Sequence, residues 1–240
     1  MRRKPLLNLL WILPVTILIV IVSIDFINHD EIYSAFFGSG GVLVEKAVDV
    51  TILINLDNPL PDDYSPVIAP VETYINDTIV SYPYDCMINP EAGKALAAML
   101  INAKENGIDD LIINSAYRSK NTQQGLWETR LAEDPHYGDD PKASPVKVLP
   151  GNASEHTTGL AIDILSHAHN VADDAYARSD AGKWLAANAH IFGFILRYPK
   201  DKENITGVIF EPWHFRYVGI DIAKYCYENG LCLEEYYDRQ

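Results

Sequence analysis

The first long feature of the chain is an uninterrupted apolar run. Residues 6–24, LLNLLWILPVTILIVIVSI, hold no charged side chain over 19 positions, and about 20 such residues in a helix span a bilayer core. Arg2, Arg3 and Lys4 precede the run, and the positive-inside rule keeps such an end in the cytoplasm. The pattern predicts a single-pass membrane anchor over residues 1–27, with the rest of the chain outside the cytoplasm. A long signal peptide cut at an atypical site is the alternative.

The pattern changes after the anchor. Residues 28–41 are polar and end in GSGG, which is typical of a flexible linker. From there, short apolar runs alternate with turn residues, and we expect one folded domain over residues 42–240. Near the start of this domain, VDVTILINLDNPLP predicts a strand that ends in a proline-bounded turn.

The clearest helix is predicted in NPEAGKALAAMLINAKENG. Asn89 suits its N-cap, Pro90 suits its first position and Gly107 suits its C-terminal end. Apolar residues at helical spacing predict the face that enters the core, namely Leu96, Met99, Leu100 and Ala103.

Other helices and strands are intermixed along the chain. Helices are predicted over about 120–133 and 179–190 and in IDIAKYCYEN, which ends before Gly230. Strands are predicted in DLIINSAYRS, GLAIDI, FGFILRYP and WHFRYV. Because few short links of the regular parallel strand–helix–strand type occur, we expect an α+β fold with an antiparallel sheet.

Charge and cysteine content narrow the classes of partner. The formal net charge is −14, which argues against a nucleic-acid partner and against electrostatic adhesion to anionic lipid. Cys86, Cys226 and Cys232 match neither a disulfide framework nor a zinc knuckle. Two alternatives remain for the cysteines: a disulfide between Cys226 and Cys232 outside the cell, or burial as small hydrophobic side chains.

Candidate chemistry appears in SEHTTGLAIDI, residues 154–164. His156 and Asp163 lie seven positions apart, so a straight strand would point them to opposite faces. The TTG sequence with Gly159 permits a bend that brings His156 back beside Asp163. The pair is of metal-ligand type, although a hydrogen bond that staples a hairpin would explain the pair alone equally well.

FEPWHFRYV supplies a second pair, Glu211 and His214. Pro212 disfavours helical angles at Glu211, and the alternation that follows places His214 on a strand. Together, His156, Asp163 and His214 match an open catalytic zinc site, with one position left for water. Glu211 is then a non-ligand carboxylate suited to proton transfer.

The two motifs resemble the VanY-type zinc D-alanyl-D-alanine carboxypeptidases. That metallopeptidase group also holds D-Ala-D-Ala dipeptidases and L,D-carboxypeptidases. The likeness extends through LINLDNPLPDDYSP, SAYRSKNTQ and GFILRYPKDKENITG and covers roughly residues 50–220. It implies zinc on His156, Asp163 and His214, Glu211 as catalytic base, and a small antiparallel sheet flanked by helices.

SAYRSKNTQ places Arg118 after a predicted strand, where a loop could present it to a cleft. A guanidinium binds a carboxylate through two parallel hydrogen bonds, which suits an enzyme that recognises a free C-terminus. Taken alone, such an arginine is more often a surface salt bridge. The resemblance implies that Arg118 anchors the substrate and polarises the scissile carbonyl, and that Ser119 and Gln123 contact substrate. Ser154 and Tyr198 are further candidates, with plain packing equally open for Tyr198.

The motifs together predict a membrane-anchored zinc carboxypeptidase that removes the terminal D-Ala from peptidoglycan pentapeptide stems. This reaction would also delete the target of vancomycin-type antibiotics. One alternative is a different cut, by an L,D-carboxypeptidase or a D-Ala-D-Ala dipeptidase. Another is a non-catalytic, zinc-containing binding domain of the same fold, as in hedgehog signalling proteins, although Glu211 and Arg118 favour catalysis. The oligomeric state is not predicted.

Overall fold

The computed structural model of the protein describes residues 49–75, 80–83 and 85–240. The predicted anchor over 1–27 and the linker over 28–41 lie outside the described residues. In the part of the chain that is described, no helix has both the length and the apolar character needed to cross a bilayer.

Two small antiparallel sheets confirm the α+β expectation. The larger one has four strands in the order β3-β4-β6-β5, and the smaller pairs β1 with β2. In chain order the strands are β1 Ala69–Pro70, β2 Met87–Ile88, β3 Leu111–Ser115, β4 Ala161–Ser166, β5 Phe194–Leu196 and β6 His214–Tyr217.

Helices surround the larger sheet. The α-helices are α1 Pro90–Glu105, α2 Lys120–Glu133, α3 Asp180–Asn188, α4 Glu203–Thr206, α5 Ile220–Asn229 and α6 Leu233–Tyr237. Short 3-10 helices lie at Val71–Thr73, Glu155–Thr158, Asp174–Arg178 and Ala189–Phe192. The predicted helices correspond to α1, α2, α3 and α5, whereas the short α4 and α6 were not predicted.

Helix α1 forms as its sequence predicts and fills the core. The Asn89 side chain accepts hydrogen bonds from the backbone N–H groups of Glu91 and Ala92, and Pro90 occupies the first turn. These contacts satisfy N–H groups that have no partner within the helix. The predicted apolar face is buried, with Leu96, Met99, Leu100 and Ala103 at most 2% exposed. It packs in the same core as the apolar residues of β3, β4 and β6.

The strand predicted in VDVTILINLDNPLP is wrong, because no strand forms between residues 49 and 62. Its carbonyl groups are bound by side chains instead of by a neighbouring strand. Nη2 of Arg216 donates to the carbonyl oxygens of Val50 and Ile52, at 3.1 and 2.8 Å. The Tyr237 hydroxyl donates to the carbonyl of Thr51. An irregular segment therefore satisfies its polar backbone groups against the end of the sheet.

The bend predicted after His156 is confirmed. Residues Glu155–Thr158 form one 3-10 turn, and Gly159 follows with φ of 76°. Only glycine adopts this angle without strain, and a Cβ at Gly159 would lie 2.7 Å from Cγ2 of Ile68. Strand β4 begins two residues later, at Ala161, and all six of its residues are buried. The turn therefore delivers His156 to the same end of the sheet that carries Asp163.

All three cysteines are free and buried, as expected for small hydrophobic side chains. Burial raises the pKa of the Cys86 and Cys226 thiols to about 11 and that of Cys232 to about 12. Thiolates are the reactive form of cysteine, so these groups pack rather than react.

Candidate metal centre and active site

Three donors converge at one end of the central sheet. Strands β4 and β6 are antiparallel neighbours, and their register places Asp163 directly opposite His214. His156 joins them from the 3-10 turn that precedes β4. One ligand atom from each of the three side chains lies within 4.8 Å of the others, and all three residues are buried.

Hydrogen bonding fixes the ring orientation of His156. Its Nδ1 lies 2.6 Å from the carbonyl oxygen of Ala116, and a carbonyl can only accept, so Nδ1 carries the proton. The other ring nitrogen, Nε2, lies 3.4 Å from Oδ2 of Asp163. The lone pair of Nε2 is therefore presented to the centre of the cluster.

A carboxylate lies on each side of the His214 ring. Its Nδ1 lies 3.0 Å from Oδ1 of Asp163, while Nε2 lies 3.7 Å from Oε2 of Glu155, slightly beyond hydrogen-bond length. Among the described residues, neither Nε2 of His214 nor Oε2 of Glu155 has a hydrogen-bond partner. These two atoms face each other, which leaves Nδ1 to present its lone pair to the cluster as a metal ligand.

The residues present fit a zinc ion. Zn²⁺ takes imidazole nitrogen and carboxylate oxygen, and a catalytic zinc site has three protein ligands and an open fourth position. Metal-binding histidines commonly donate their second ring nitrogen to a carbonyl or carboxylate. His156 does so to Ala116, and His214 faces Glu155 in the same sense. Together with Asp163, they form a three-donor site of this kind.

The electrostatics of the cluster favour a cation. Burial and the neighbouring Arg118 guanidinium lower the pKa of His156 to about 4, so this ring is neutral at pH 7. Burial alone would lower the pKa of His214 too, but the carboxylates of Asp163 and Glu155 outweigh it and raise the pKa to about 9. The site therefore combines a neutral donor ring with a position where positive charge is stabilised.

Glu211 lies beside the cluster on the loop that leads into β6. Its Oε2 is 3.7 Å from Nδ1 of His214, and the residue is only 5% exposed. Burial raises the pKa of Glu211 to about 8. A carboxyl group that titrates near neutral pH can both accept and return a proton.

Arg118 is fixed at the mouth of the cluster by its own neighbours. Its Nε donates to Oγ of Ser115 at 3.0 Å, and Nη1 donates to Oε1 of Gln123 at 2.5 Å. Nη2 lies 3.5 Å from Oδ2 of Asp163. The side chain keeps 23% of its surface exposed, so the guanidinium can still meet a ligand.

A cavity of about 180 Å³ holds these groups, and every predicted site residue except Ser119 lines it. Ser119 instead caps helix α2, where its Oγ accepts from the backbone N–H of Thr122 at 3.1 Å. The Gln123 amide binds two partners: its Oε1 accepts from Arg118, and its Nε2 donates to the carbonyl of Leu149 at 2.8 Å. Substrate contacts at Ser119 and Gln123 stay predictions, and the structure gives Gln123 a role in holding Arg118.

Several residues of the site were not predicted. Asn114, Lys147 and Trp213 line the cavity, and Nζ of Lys147 lies 4.9 Å from the centre of the Trp213 ring. Trp213 lies between Glu211 and His214 in the sequence, so its position in the motif could have identified it as a site residue. Lys147 comes from a loop without a pattern, and only the fold brings it here.

The His156 ligand can be tested directly. In His156→Ala, we expect the zinc content after dialysis to fall from about one ion per chain to near zero, because one of three donors is lost. Elemental analysis of the purified protein measures this. His169→Ala is the matched control, since His169 is bonded to Asp173 outside the cluster. A His156→Ala protein that retained full zinc would remove this residue from the ligand set.

Three donors, an adjacent proton-transfer carboxylate and a guanidinium in one cavity define a metal-dependent hydrolase site. Comparison with known families then gives the particular family. The family model for VanY, D-alanyl-D-alanine carboxypeptidase, matches residues 85–220. The chain belongs to this family, and the resemblance noted from the motifs is confirmed.

Solved structures of the same group superimpose well on the chain. The LdcB LD-carboxypeptidase is 35% identical with a TM-score of 0.66, over 78% of this chain and 84% of that one. VanYB in complex with D-alanine-D-alanine is 33% identical with a TM-score of 0.64, over 79% and 97%. A mutant of the D,D-pentapeptidase VanY in complex with Zn(II) is 34% identical with a TM-score of 0.61, over 78% and 98%.

Proposed function

We propose that the protein is a zinc D,D-carboxypeptidase that removes the C-terminal D-Ala from peptidoglycan pentapeptide stems. The main support is that His156, Asp163 and His214 share one cavity with Glu211 and Arg118. The zinc-bound and D-Ala-D-Ala-bound relatives support the metal and the substrate class. A role in resistance to vancomycin-type antibiotics follows from the same cut.

The geometry supports a separate role for each of these residues. Zinc, when bound by His156, Asp163 and His214, supplies Lewis-acid chemistry at the scissile carbonyl. Glu211 accepts the proton of the attacking water and returns it to the leaving amino group. Its burial and raised pKa suit both steps. Because Glu211 is not one of the three donors, its task is proton transfer rather than metal binding.

Arg118 supplies the fixed positive charge of the site. A free C-terminal carboxylate is recognised by the exposed part of its guanidinium, and the same charge stabilises negative charge that develops on the carbonyl oxygen. The hydrogen bonds from Arg118 to Ser115 and Gln123 hold it ready, so little ordering is needed when substrate arrives.

Arg118→Ala is expected to raise KM and lower kcat together. Truncating one partner of a buried charged pair costs about 2–5 kcal/mol, so kcat/KM should fall about 30-fold or more. Arg118→Lys should recover only part of this, because an ammonium cannot form two parallel hydrogen bonds. Steady-state D-Ala release measures both constants. Arg130→Ala is the control, since Arg130 pairs with Glu133 on the exposed face of α2, and an equal loss there would contradict the role of Arg118.

The experiment that tests the function compares three substrates. We expect zinc-loaded protein to release D-Ala from a pentapeptide ending in D-Ala-D-Ala, and to act less on a tetrapeptide and on free D-Ala-D-Ala. L,D-carboxypeptidase activity is the second candidate, favoured by the likeness to LdcB, and faster release from the tetrapeptide would establish it. Faster cleavage of the free dipeptide would establish a dipeptidase. No release from any of the three would favour a binding domain.

We also propose that residues 6–24 anchor the domain to the cell membrane and that the domain faces outward. The support is the 19-residue uncharged run after Arg2, Arg3 and Lys4. Protease added to intact cells should degrade the domain. Protection in intact cells, with digestion after lysis, would show the reverse orientation.

A further inference from the structure

A second cavity adjoins the catalytic one and is larger. Its volume is about 510 Å³, against about 180 Å³ for the catalytic cavity, and the two share Lys147, Ala172 and Trp213 as a common wall. We call this second cavity the outer groove. Its lining includes Lys147, Ala172, Asp173, Asp174, Arg178, Ile209 and Trp213.

Two cations line the outer groove in different ways. Lys147 is fixed, because its Nζ donates to the carbonyl of Ala172 at 3.0 Å and lies over the Trp213 ring. Arg178 ends the 3-10 helix Asp174–Arg178 and is exposed. Within the described part of the chain, no hydrogen bond or ion pair engages its guanidinium. Arg178 is therefore available to an incoming ligand.

Among the described residues, the acidic side chains of the groove do not pair with Arg178. Oδ1 of Asp173 is already used, since it lies 2.9 Å from Nε2 of His169 and accepts from the backbone N–H of Ala175 at 2.9 Å. Asp174 is exposed. The groove thus offers both signs of charge beside an indole and an isoleucine, in a chain whose formal net charge is −14.

The size of the catalytic cavity limits what it can hold. Pockets that bury a drug-sized ligand measure about 300–1,000 Å³, so a cavity of about 180 Å³ accommodates only the end of a pentapeptide. The rest of the substrate, on the N-terminal side of the scissile bond, must lie outside it. The outer groove adjoins the cavity at three shared lining residues and is open to solvent.

We propose that the outer groove binds the upstream part of the stem peptide and that Arg178 pairs with a carboxylate there. This inference rests on the proposed function. A stem peptide carries a γ-linked glutamyl residue whose α-carboxylate is free unless it is amidated, followed by a diamino acid. The mixed charges of the groove match that combination, and Arg178 makes the enzyme prefer the free carboxylate over the amide.

The test uses three substrates that differ only upstream of D-Ala-D-Ala. They are L-Ala-γ-D-Glu-L-Lys-D-Ala-D-Ala, the same pentapeptide with the α-carboxylate as an amide, and diacetyl-L-Lys-D-Ala-D-Ala. Zinc-loaded protein is assayed by D-Ala release. In Arg178→Glu, the ratio of kcat/KM for the acidic pentapeptide to that for the tripeptide should fall about threefold to tenfold, mainly through KM, since exposed charge pairs are weak.

The amidated peptide and a control variant separate the causes. When the amidated pentapeptide replaces the acidic one in this ratio, Arg178→Glu should lower the ratio clearly less, because the carboxylate is missing. Arg239→Glu makes the same charge change at another exposed arginine and should keep the ratio of the unmutated protein. The proposal is overturned if Arg178→Glu leaves the ratio unchanged, or changes it equally for acid and amide. If tripeptide and pentapeptides alike release no D-Ala, the proposed function itself fails.

Discussion

Glu211→Gln is expected to lose at least about 10³-fold in the rate of D-Ala release while keeping its zinc and its fold. A general acid–base group contributes about 10²–10⁴-fold, and here one carboxyl serves as base and then as acid, which places the loss near or beyond the upper end. Glutamine has nearly the same shape as glutamic acid, so the buried position beside His214 stays filled. Its amide cannot accept the proton of the attacking water.

The assay measures D-Ala release from a pentapeptide, with zinc content determined for each variant. Glu133→Gln provides the same chemical change at an exposed position on α2, and its rate should equal that of the unmutated protein. Near wild-type release by Glu211→Gln would refute proton transfer by this residue. Loss of zinc together with activity would instead make Glu211 a metal ligand.

Local patterns predicted much of the fold because they report on local physics. The N-cap at Asn89 and the proline that follows it fix the start of α1 without any distant partner. The bend at Gly159 is likewise local, since a turn residue with positive φ is needed wherever the chain leaves the 3-10 turn. These features depend on residues close together in the sequence, so short stretches of sequence are sufficient to predict them.

The candidate site was predicted for a different reason. The spacing of His156 and Asp163 with a glycine between them, and of Glu211 and His214 around a proline, suggested two pairs. Their residue types match one catalytic zinc site, and the family motifs supported joining the pairs. The register of β4 against β6 is the physical cause, because it places Asp163 opposite His214. The catalytic roles of these residues stay predictions until the variants are measured.

The buried arginines could not be predicted from local patterns. Arg197, just after β5, and Arg216, in β6, are both 0% exposed, although arginine is ordinarily expected at the surface. They are neutralised by Glu155 and Glu234, which lie between 37 and 61 positions away in the chain. The same network explains why the segment near residue 50 is not a strand, since Arg216 holds its carbonyl groups.

This network also reaches the metal centre through Glu155. Its Oε1 accepts from Nε of Arg197 at 2.7 Å and from Nη1 of Arg216 at 2.8 Å, while Oε2 faces His214. Burial alone would raise the pKa of Glu155, but the two guanidinium groups outweigh it and hold the pKa well below its usual range. Glu155 is therefore a buried anion that serves the arginines with one oxygen and a metal-site histidine with the other.

Glu155→Gln is accordingly expected to damage both stability and zinc binding. Arg197 would still be paired with Glu234, but Arg216 would lose the carboxylate it is paired with. Leaving a buried charge without its partner costs about 3–5 kcal/mol, which urea unfolding of the metal-free protein would measure. Loss of a carboxylate behind a metal-binding histidine costs about 10–100-fold in metal affinity, measured by competition with a chromophoric chelator. The absorption spectrum of the cobalt-substituted protein should change as well, because the His214 ring is no longer held.

Glu234→Gln separates the two effects. Glu234 binds Arg197 through both oxygens, at 2.7 and 2.8 Å, and lies on helix α6. No contact joins it to His214 among the described residues. This variant should therefore lose stability but retain zinc affinity in the folded state. Equal losses of affinity in both variants would mean that the network merely keeps the domain folded, whereas a selective loss in Glu155→Gln assigns Glu155 to positioning His214.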